Sequence, residues 1–334
     1  MITTATYEAR ELGLHSGMGM MKAARLAPDA LLLPADFDRY RQYSRQFKDA
    51  VRSLAPLVED RGIDEIYIDF SEACAGTDPW RTARALASEI QRAVHAATGL
   101  SCSLGVTPNK LLSKIASAMH KPGGITVLTE AEVAARIWPL MARKVNGIGP
   151  KAGARLESLG ILTIGDLAHA DPALLIEQFG RSFGSWMHEA AHGRDSRPVV
   201  TFSEPKSISR ETTFEQDLHP VRDRDQLSAI FTGLCIQIAA DLERKGYAGR
   251  TVGLKLRFDD FSQVTRDRTI ERPTRNAQVI RRAAGECLKR VRLDRRIRLL
   301  GVRMGTLSAA DTMDDADRQA DEQALPGATL SLFP

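Results

Sequence analysis

The chain has 334 residues, 43% of them apolar and 26% charged, too many for one ordinary core and too evenly balanced for wholesale disorder, so two to four globular domains are expected. No window approaches about 18 consecutive apolar residues, which excludes a helical membrane span, and no basic segment followed by an apolar run marks a secretory signal. The net charge of +4 is uneven, with +1 over residues 1–199, +8 over 200–304 and −5 over 305–334, a pattern that predicts a polyanion-binding module ahead of an acidic extension.

Taken in chain order, "PADFDRYRQYSRQFKDAVRSLAP" places Phe37, Tyr40, Tyr43, Phe47, Val51 and Leu54 at helical spacing, with Asp36 as N-cap and Pro56 as stop. "RGIDEIYIDF" alternates, with Ile66, Ile68 and Phe70 on one face and Glu65, Tyr67 and Asp69 on the other, the pattern of a half-buried strand. A second helix follows, capped by Asp78, opened by Pro79, faced by Ala83, Leu86, Ile90 and Val94, and ended by Gly99. "LSCSLGV" reads as a strand, "TPNKLLSKIASAM" as a third helix and "HKPGG" as a turn. Up to about residue 128 this order predicts an α+β sandwich with helices on one face of a sheet. Residues 129–193 read as helices joined by short Gly turns, and 194–206 as an extended linker with two prolines. Strand-like runs with helical stretches between them fill 207–304. The acidic stretch from 305, poor in large apolar groups, is expected to be disordered. Cys74, Cys102, Cys235 and Cys287 are scattered without a CxxC, as expected of reduced thiols in a cytosolic protein.

Three stretches carry chemistry. Asp64 and Glu65 are adjacent carboxylates at the start of an otherwise apolar strand. Near a strand end both can reach one spot, where a hard cation such as Mg²⁺ is held by one or two carboxylates and substrate phosphates. Lys110, Lys114 and Lys121 bracket the third helix. Lys110 and Lys114 fit the solvated face of an amphipathic helix, whereas Lys121, fixed in a Lys-Pro-Gly-Gly turn, suits a phosphate. "VNGIGPKAGARLESLGI" joins two helical stretches through Gly147-Ile148-Gly149, with Lys151 adding charge. Such a turn brings backbone N–H groups against a phosphate without reading bases, as in a helix-hairpin-helix.

Together these residues resemble Y-family DNA polymerases, the bacterial polymerase IV type, co-linearly over nearly the whole chain. "TTATYEAR" is similar to the family's fingers motif, "IDEIYIDF" to its palm metal motif, "GVTPNKLLSKIASAMHKPGG" to the following palm segment, and "SISRETTF" to the start of its little finger. The resemblance implies an α+β multi-domain right hand. Its parts are small fingers (1–36), a ferredoxin-like palm (37–128), a helical helix-hairpin-helix thumb (129–197), a linker (198–206), an α+β little finger (207–305) and an acidic tail (306–334). By position, Thr4, Tyr7, Arg10 and Lys121 correspond to residues that hold the incoming triphosphate. Asp64 and Glu65 correspond to the second and third metal carboxylates for two Mg²⁺ ions. Ser16, Gly17 and Met18 correspond to small residues over the nascent base pair, and Gly147 and Gly149 to thumb contacts with the DNA backbone. The implied function is low-fidelity translesion synthesis by a cytoplasmic, nucleoid-associated monomer acting on primer-template DNA and deoxynucleoside triphosphates.

Departures are His15 for Arg, Gly19 for Pro and Gly62 for Ser. "TLSLFP" resembles a sliding-clamp-binding peptide through Leu330, Leu332 and Phe333, with Thr329 in place of Gln. No counterpart of the family's first strand, apolar-Asp-x-Asp-aromatic, stands ahead of "TTATYEAR". A palm without that strand is expected to show unpaired strand edges, and a non-catalytic DNA- and clamp-binding protein is the alternative function.

Overall fold

The computed structural model describes residues 1–312. The chain divides into two compact units between Phe202 and Ser203, inside the stretch that reads as a linker.

In the first unit, α1 (Tyr7–Glu11) and α2 (Met20–Leu26) enclose a small core of Leu14, Met18, Ala23 and Ala27. Helix α3 (Phe37–Arg52) starts where Asp36 accepts the Arg39 N–H at 3.0 Å. Strands β1 (Leu57–Asp60) and β2 (Ile66–Asp69) then pair antiparallel, with Glu59 opposite Tyr67 and Asp60 opposite Ile66. Helix α4 (Pro79–Thr98) has the expected ends, an Asp78 cap and a left-handed Gly99. Strand β3 (Leu104–Val106) crosses through α5 (Lys110–Met119) to the parallel strand β4 (Ile125–Val127). The sequence reading shows neither β1 nor β4.

Both sheets bury side chains against the same helices. Val58, Ile66, Ile68 and Leu104 share a core with Val51, Ile90 and Val94. Yet they remain two separate two-stranded sheets, with no ladder from β2 to β3, and every residue of β2 and β3 is only half-buried.

Five helices follow: α6 (Val133–Arg136), α7 (Pro150–Ser158), α8 (Ile164–His169), α9 (Pro172–Phe179) and α10 (Arg181–Ala191). They pack around Ile137, Leu156, Ile164, Leu167, Leu175 and Met187, and Leu112 of α5 joins the same core.

The second unit is a four-stranded antiparallel sheet in the order β5-β8-β6-β7, built from β5 (Ser207–Leu218), β6 (Tyr247–Phe258), β7 (Gln263–Thr274) and β8 (Ile297–Ala309). Helices α11 (Arg224–Lys245) and α12 (Ala277–Leu288) cover one face, where Val252, Leu254, Leu256, Val302 and Met304 meet Phe231, Ile238 and Ile280. The alternate residues form a polar outer face. There Lys255 pairs with Glu211 at 2.8 Å, and Arg303 reaches Asp267 at 2.8 Å. Gly253 makes the second contact possible, since a Cβ there would lie 2.4 Å from the Asp267 carboxylate. Strand β8 continues to Ala309 by pairing Leu307, Ser308 and Ala309 with β6. The sheet therefore extends past residue 305, into the start of the acidic stretch.

Asp241 of α11 binds Arg210 of β5 at 2.6 Å and Arg244 at 2.7 Å, with only 11% of its side chain exposed. The Arg210 hydrogen bond leads in lowering its pKa to about 2, against the opposing effect of burial and helped by Arg244. The folded value lies below the ordinary 3.8, so the stabilisation is complete above that value and disappears as pH falls through about 2. We expect Asp241→Asn to remove about 2 kcal/mol from this unit at neutral pH and to flatten its acid dependence. Amide exchange at β5 and α11 measures both effects.

Candidate active site and nucleic-acid interface

The carboxylate pair stands one step outside the strand. Asp64 and Glu65 end the turn between β1 and β2, and Ile66 is the first strand residue. That turn is built from below. Lys48 of α3, 9% exposed, donates to both Asp60 oxygens at 2.9 and 2.8 Å and to the Gly62 carbonyl at 2.5 Å. The Gly62 N–H returns to Asp60 at 3.0 Å, and the Arg61 N–H to the Glu65 carbonyl at 3.0 Å. Gly62 has φ +139°, a conformation open to glycine. The two carboxylates are thus presented on a tied loop at a strand end.

Lys114 ion-pairs with Glu65, which corrects its reading as part of a solvated helix face. Burial leads in lowering the Lys114 pKa; Lys121 and Arg61 push the same way, while Asp64 opposes. Asp64, Glu65, Lys114 and Lys121 therefore share one electrostatic neighbourhood. The turn carrying Lys121 is held by Gln91, which donates to the Gly123 carbonyl at 2.6 Å, and by Ser103, which accepts the Gly123 N–H at 3.0 Å. Lys110 also leaves the predicted solvated face. It is buried and donates to Glu59 at 2.7 Å and to the Pro198 carbonyl at 2.6 Å. The spacing signal was available in both lysines, but their partners lie 49 and 51 residues away in sequence.

The fingers residues stay within their own segment. Thr4 and Tyr7 are exposed, and Arg10 donates to the Ala5 carbonyl at 3.0 Å and lies over the Tyr7 ring. Ser16 is exposed and Gly17 has φ +83°. Met18 is 4% exposed and packs with Leu14, Ala23 and Ala27. An apolar side chain within a cluster of small residues is the natural filler of so small a core.

At the thumb, Gly149 caps α7 with Pro150 at the first helical position. Gly147 has φ +118°. Among the described residues the N–H groups of Gly147, Gly149 and Lys151 donate to no protein acceptor. The Lys151 side chain is exposed beside them. Three unsatisfied donors and an ammonium at a helix start suit an anionic oxygen. Next to this turn a cavity of about 330 Å³ is bordered by Arg61, Tyr67, Lys110, Gly147 and Trp186.

Two hard carboxylate oxygens fit a divalent cation that completes its shell with substrate phosphates. Among the described residues no group of three or more His, Cys, Asp or Glu side chains is placed to hold a metal. Leu330, Leu332 and Phe333 lie outside the described residues. No helix among the described residues is long and apolar enough to cross a membrane.

This arrangement belongs to a known class. The fold is shared with a Y-family DNA polymerase chimera of Dbh and Dpo4, at a TM-score of 0.78 and 24% identity over 92% of this chain and 87% of that one. The chain matches the impB/mucB/samB family over residues 1–118 and the C-terminal domain of the same family over 205–321. It is 37% identical to DNA polymerase IV of Streptomyces coelicolor, covering 96% of this chain and 66% of that protein. To DNA polymerase IV of Caulobacter vibrioides it is 38% identical, with 97% and 78% covered, and to that of Alkalilimnicola ehrlichii 39%, with 92% and 84% covered. The chain is a member of the impB/mucB/samB family.

Proposed function

We propose that the chain carries out template-directed, low-fidelity DNA synthesis across damaged template. The observation that carries this reading is the Asp64–Glu65 pair on its tied loop beside Lys114 and Lys121, in a family whose cited relatives are named DNA polymerase IV. The primer 3′-hydroxyl oxygen attacks the α-phosphorus of a deoxynucleoside triphosphate, its proton leaves to solvent, and pyrophosphate departs. Asp64 and Glu65 would hold Mg²⁺, which would supply charge neutralisation and orientation. Lys121 and Lys114 offer ammonium groups to the phosphates, and Thr4, Tyr7 and Arg10 of the fingers supply two hydroxyls and a guanidinium for the same triphosphate. The Gly147–Lys151 turn binds a strand backbone without reading bases. The basic 200–304 segment adds salt-dependent grip. The small Ser16 and Gly17 leave room for an altered template base, at the expense of discrimination.

The test is primer extension on undamaged and abasic templates. Extension that needs both Mg²⁺ and all template-matched triphosphates is expected. Salt-sensitive DNA binding with no incorporation under any metal would favour the DNA- and clamp-binding alternative.

A further inference from the structure

The thumb turn has a support that no sequence signal marks. Trp186 of α10 abuts Gly147: a Cβ at 147 would lie 2.5 Å from Trp186 Cη2, 3.1 Å from Cζ2 and 3.3 Å from Cζ3. All three atoms belong to the outer edge of the indole. One face of the ring is covered by Phe183, stacked on it at 5.4 Å and 11°, and Phe183 meets Phe179 edge-on at 6.2 Å. The aromatic series runs from the helical core to the one backbone position in the turn with a left-handed φ. Gly147 tolerates that approach because it has no side chain, and its φ of +118° is one that a Cβ would strain.

We propose that Trp186 is a positioning residue for nucleic-acid binding: its indole edge holds the Gly147 turn in the form that presents the Gly147, Gly149 and Lys151 N–H groups to one backbone phosphate. This rests on the reading of that turn as a DNA-backbone contact. A loop that must freeze on binding loses affinity to its own ordering, and a loop already held by a packed ring does not. The ring touches the loop and not the phosphate, so its effect passes through loop geometry alone.

The discriminating variant is Trp186→Phe. It keeps an aromatic ring for Phe183 to stack on and lacks the outer atoms that reach Gly147. Affinity is measured by fluorescence anisotropy on primer-template DNA, intact or with single methylphosphonate linkages placed in turn along each strand. Removing the charge of the contacted phosphate is expected to weaken the unaltered protein about tenfold at one linkage. Trp186→Phe is expected to bind intact DNA about tenfold more weakly and to be insensitive to that linkage. Gly147→Ala, which disturbs the same contact from the other side, is expected to behave alike, and the double variant to lose no more than either single one. Phe179→Leu is the control, lowering stability without altering the linkage profile.

If Trp186→Phe keeps the profile and affinity of the unaltered protein, or if the losses of the two variants add, the proposal is overturned. Should the unaltered protein show no sensitive linkage, the reading of the turn itself fails instead.

Discussion

Asp64→Asn is expected to lower Mg²⁺-dependent primer extension by about a thousandfold while DNA affinity is unchanged. Asparagine keeps the size and one oxygen of the side chain and removes the charge. A hard divalent cation binds through carboxylate charge, and its share of transition-state stabilisation is several kcal/mol, with about 4 kcal/mol equal to a thousandfold in rate. The fold has little stake in this charge. Asp64 precedes β2, and the loop is held by Lys48, Asp60 and Gly62 through contacts that do not involve the Asp64 side chain. Glu65→Gln is expected to act in the same direction, with one difference. It also releases Lys114 from its ion pair, so the dependence on triphosphate concentration shifts together with the rate. Single-nucleotide incorporation in rapid quench, with Mg²⁺ varied, separates the two. Wild-type rates in Asp64→Asn would remove Asp64 from the chemistry.

How far the sequence alone reaches depends on the distance over which each residue finds its partner. Asp36, Asp78 and Gly99 declare helix ends because a cap bonds within three or four residues. The alternation of Ile66, Ile68 and Phe70 declares a strand because burial follows a period of two. The Asp64–Glu65 pair and the Gly147 turn are legible for the same reason. Lys110 and Lys114 are not. At helical spacing they look like one solvated stripe, yet the fold assigns one to a buried carboxylate on β1 and the other to the site carboxylate on the turn. The burial of Met18 is not legible either, because it depends on Leu14, Ala23 and Ala27 folding around it. Trp186 carries no local signal at all, since its role depends on a glycine 39 positions earlier meeting its ring edge. The open boundary between β2 and β3 agrees with the unpaired edges expected of a palm without its first strand, but which strands carry those edges is a tertiary fact.

Glu59→Ala is expected to destabilise the first unit by about 3 kcal/mol, the largest stability effect of any single surface-to-core charge change in it. Glu59 and Lys110 are 8% and 10% exposed and bond at 2.7 Å. The second Glu59 contact is the Val200 N–H at 2.9 Å, and Lys110 also donates to Pro198 at 2.6 Å. The pair therefore fastens the 193–200 segment to β1 and α5, helped by Asn109 on the Gly193 carbonyl and Asp195 on the Leu111 N–H. Burial alone would raise the Glu59 carboxyl, but the Lys110 hydrogen bond, the Val200 N–H and the charges of Lys110 and Arg61 outweigh it and hold the pKa below 4.5. That stabilisation is complete above the ordinary carboxylate value and declines as pH falls through the lower folded one. Truncation leaves a buried ammonium with one carbonyl and frees the N–H of the exposed Val200, and an unpaired buried charge is costlier than the pair was favourable. Glu59→Met combined with Lys110→Met is accordingly expected to regain most of the loss, because it removes both charges and keeps the volume. Urea unfolding followed by tryptophan emission reads this unit alone, since Trp80, Trp138 and Trp186 all precede residue 203. If the double variant is as unstable as Glu59→Ala, the loss comes from packing and the Val200 contact, and the buried charge is not its source.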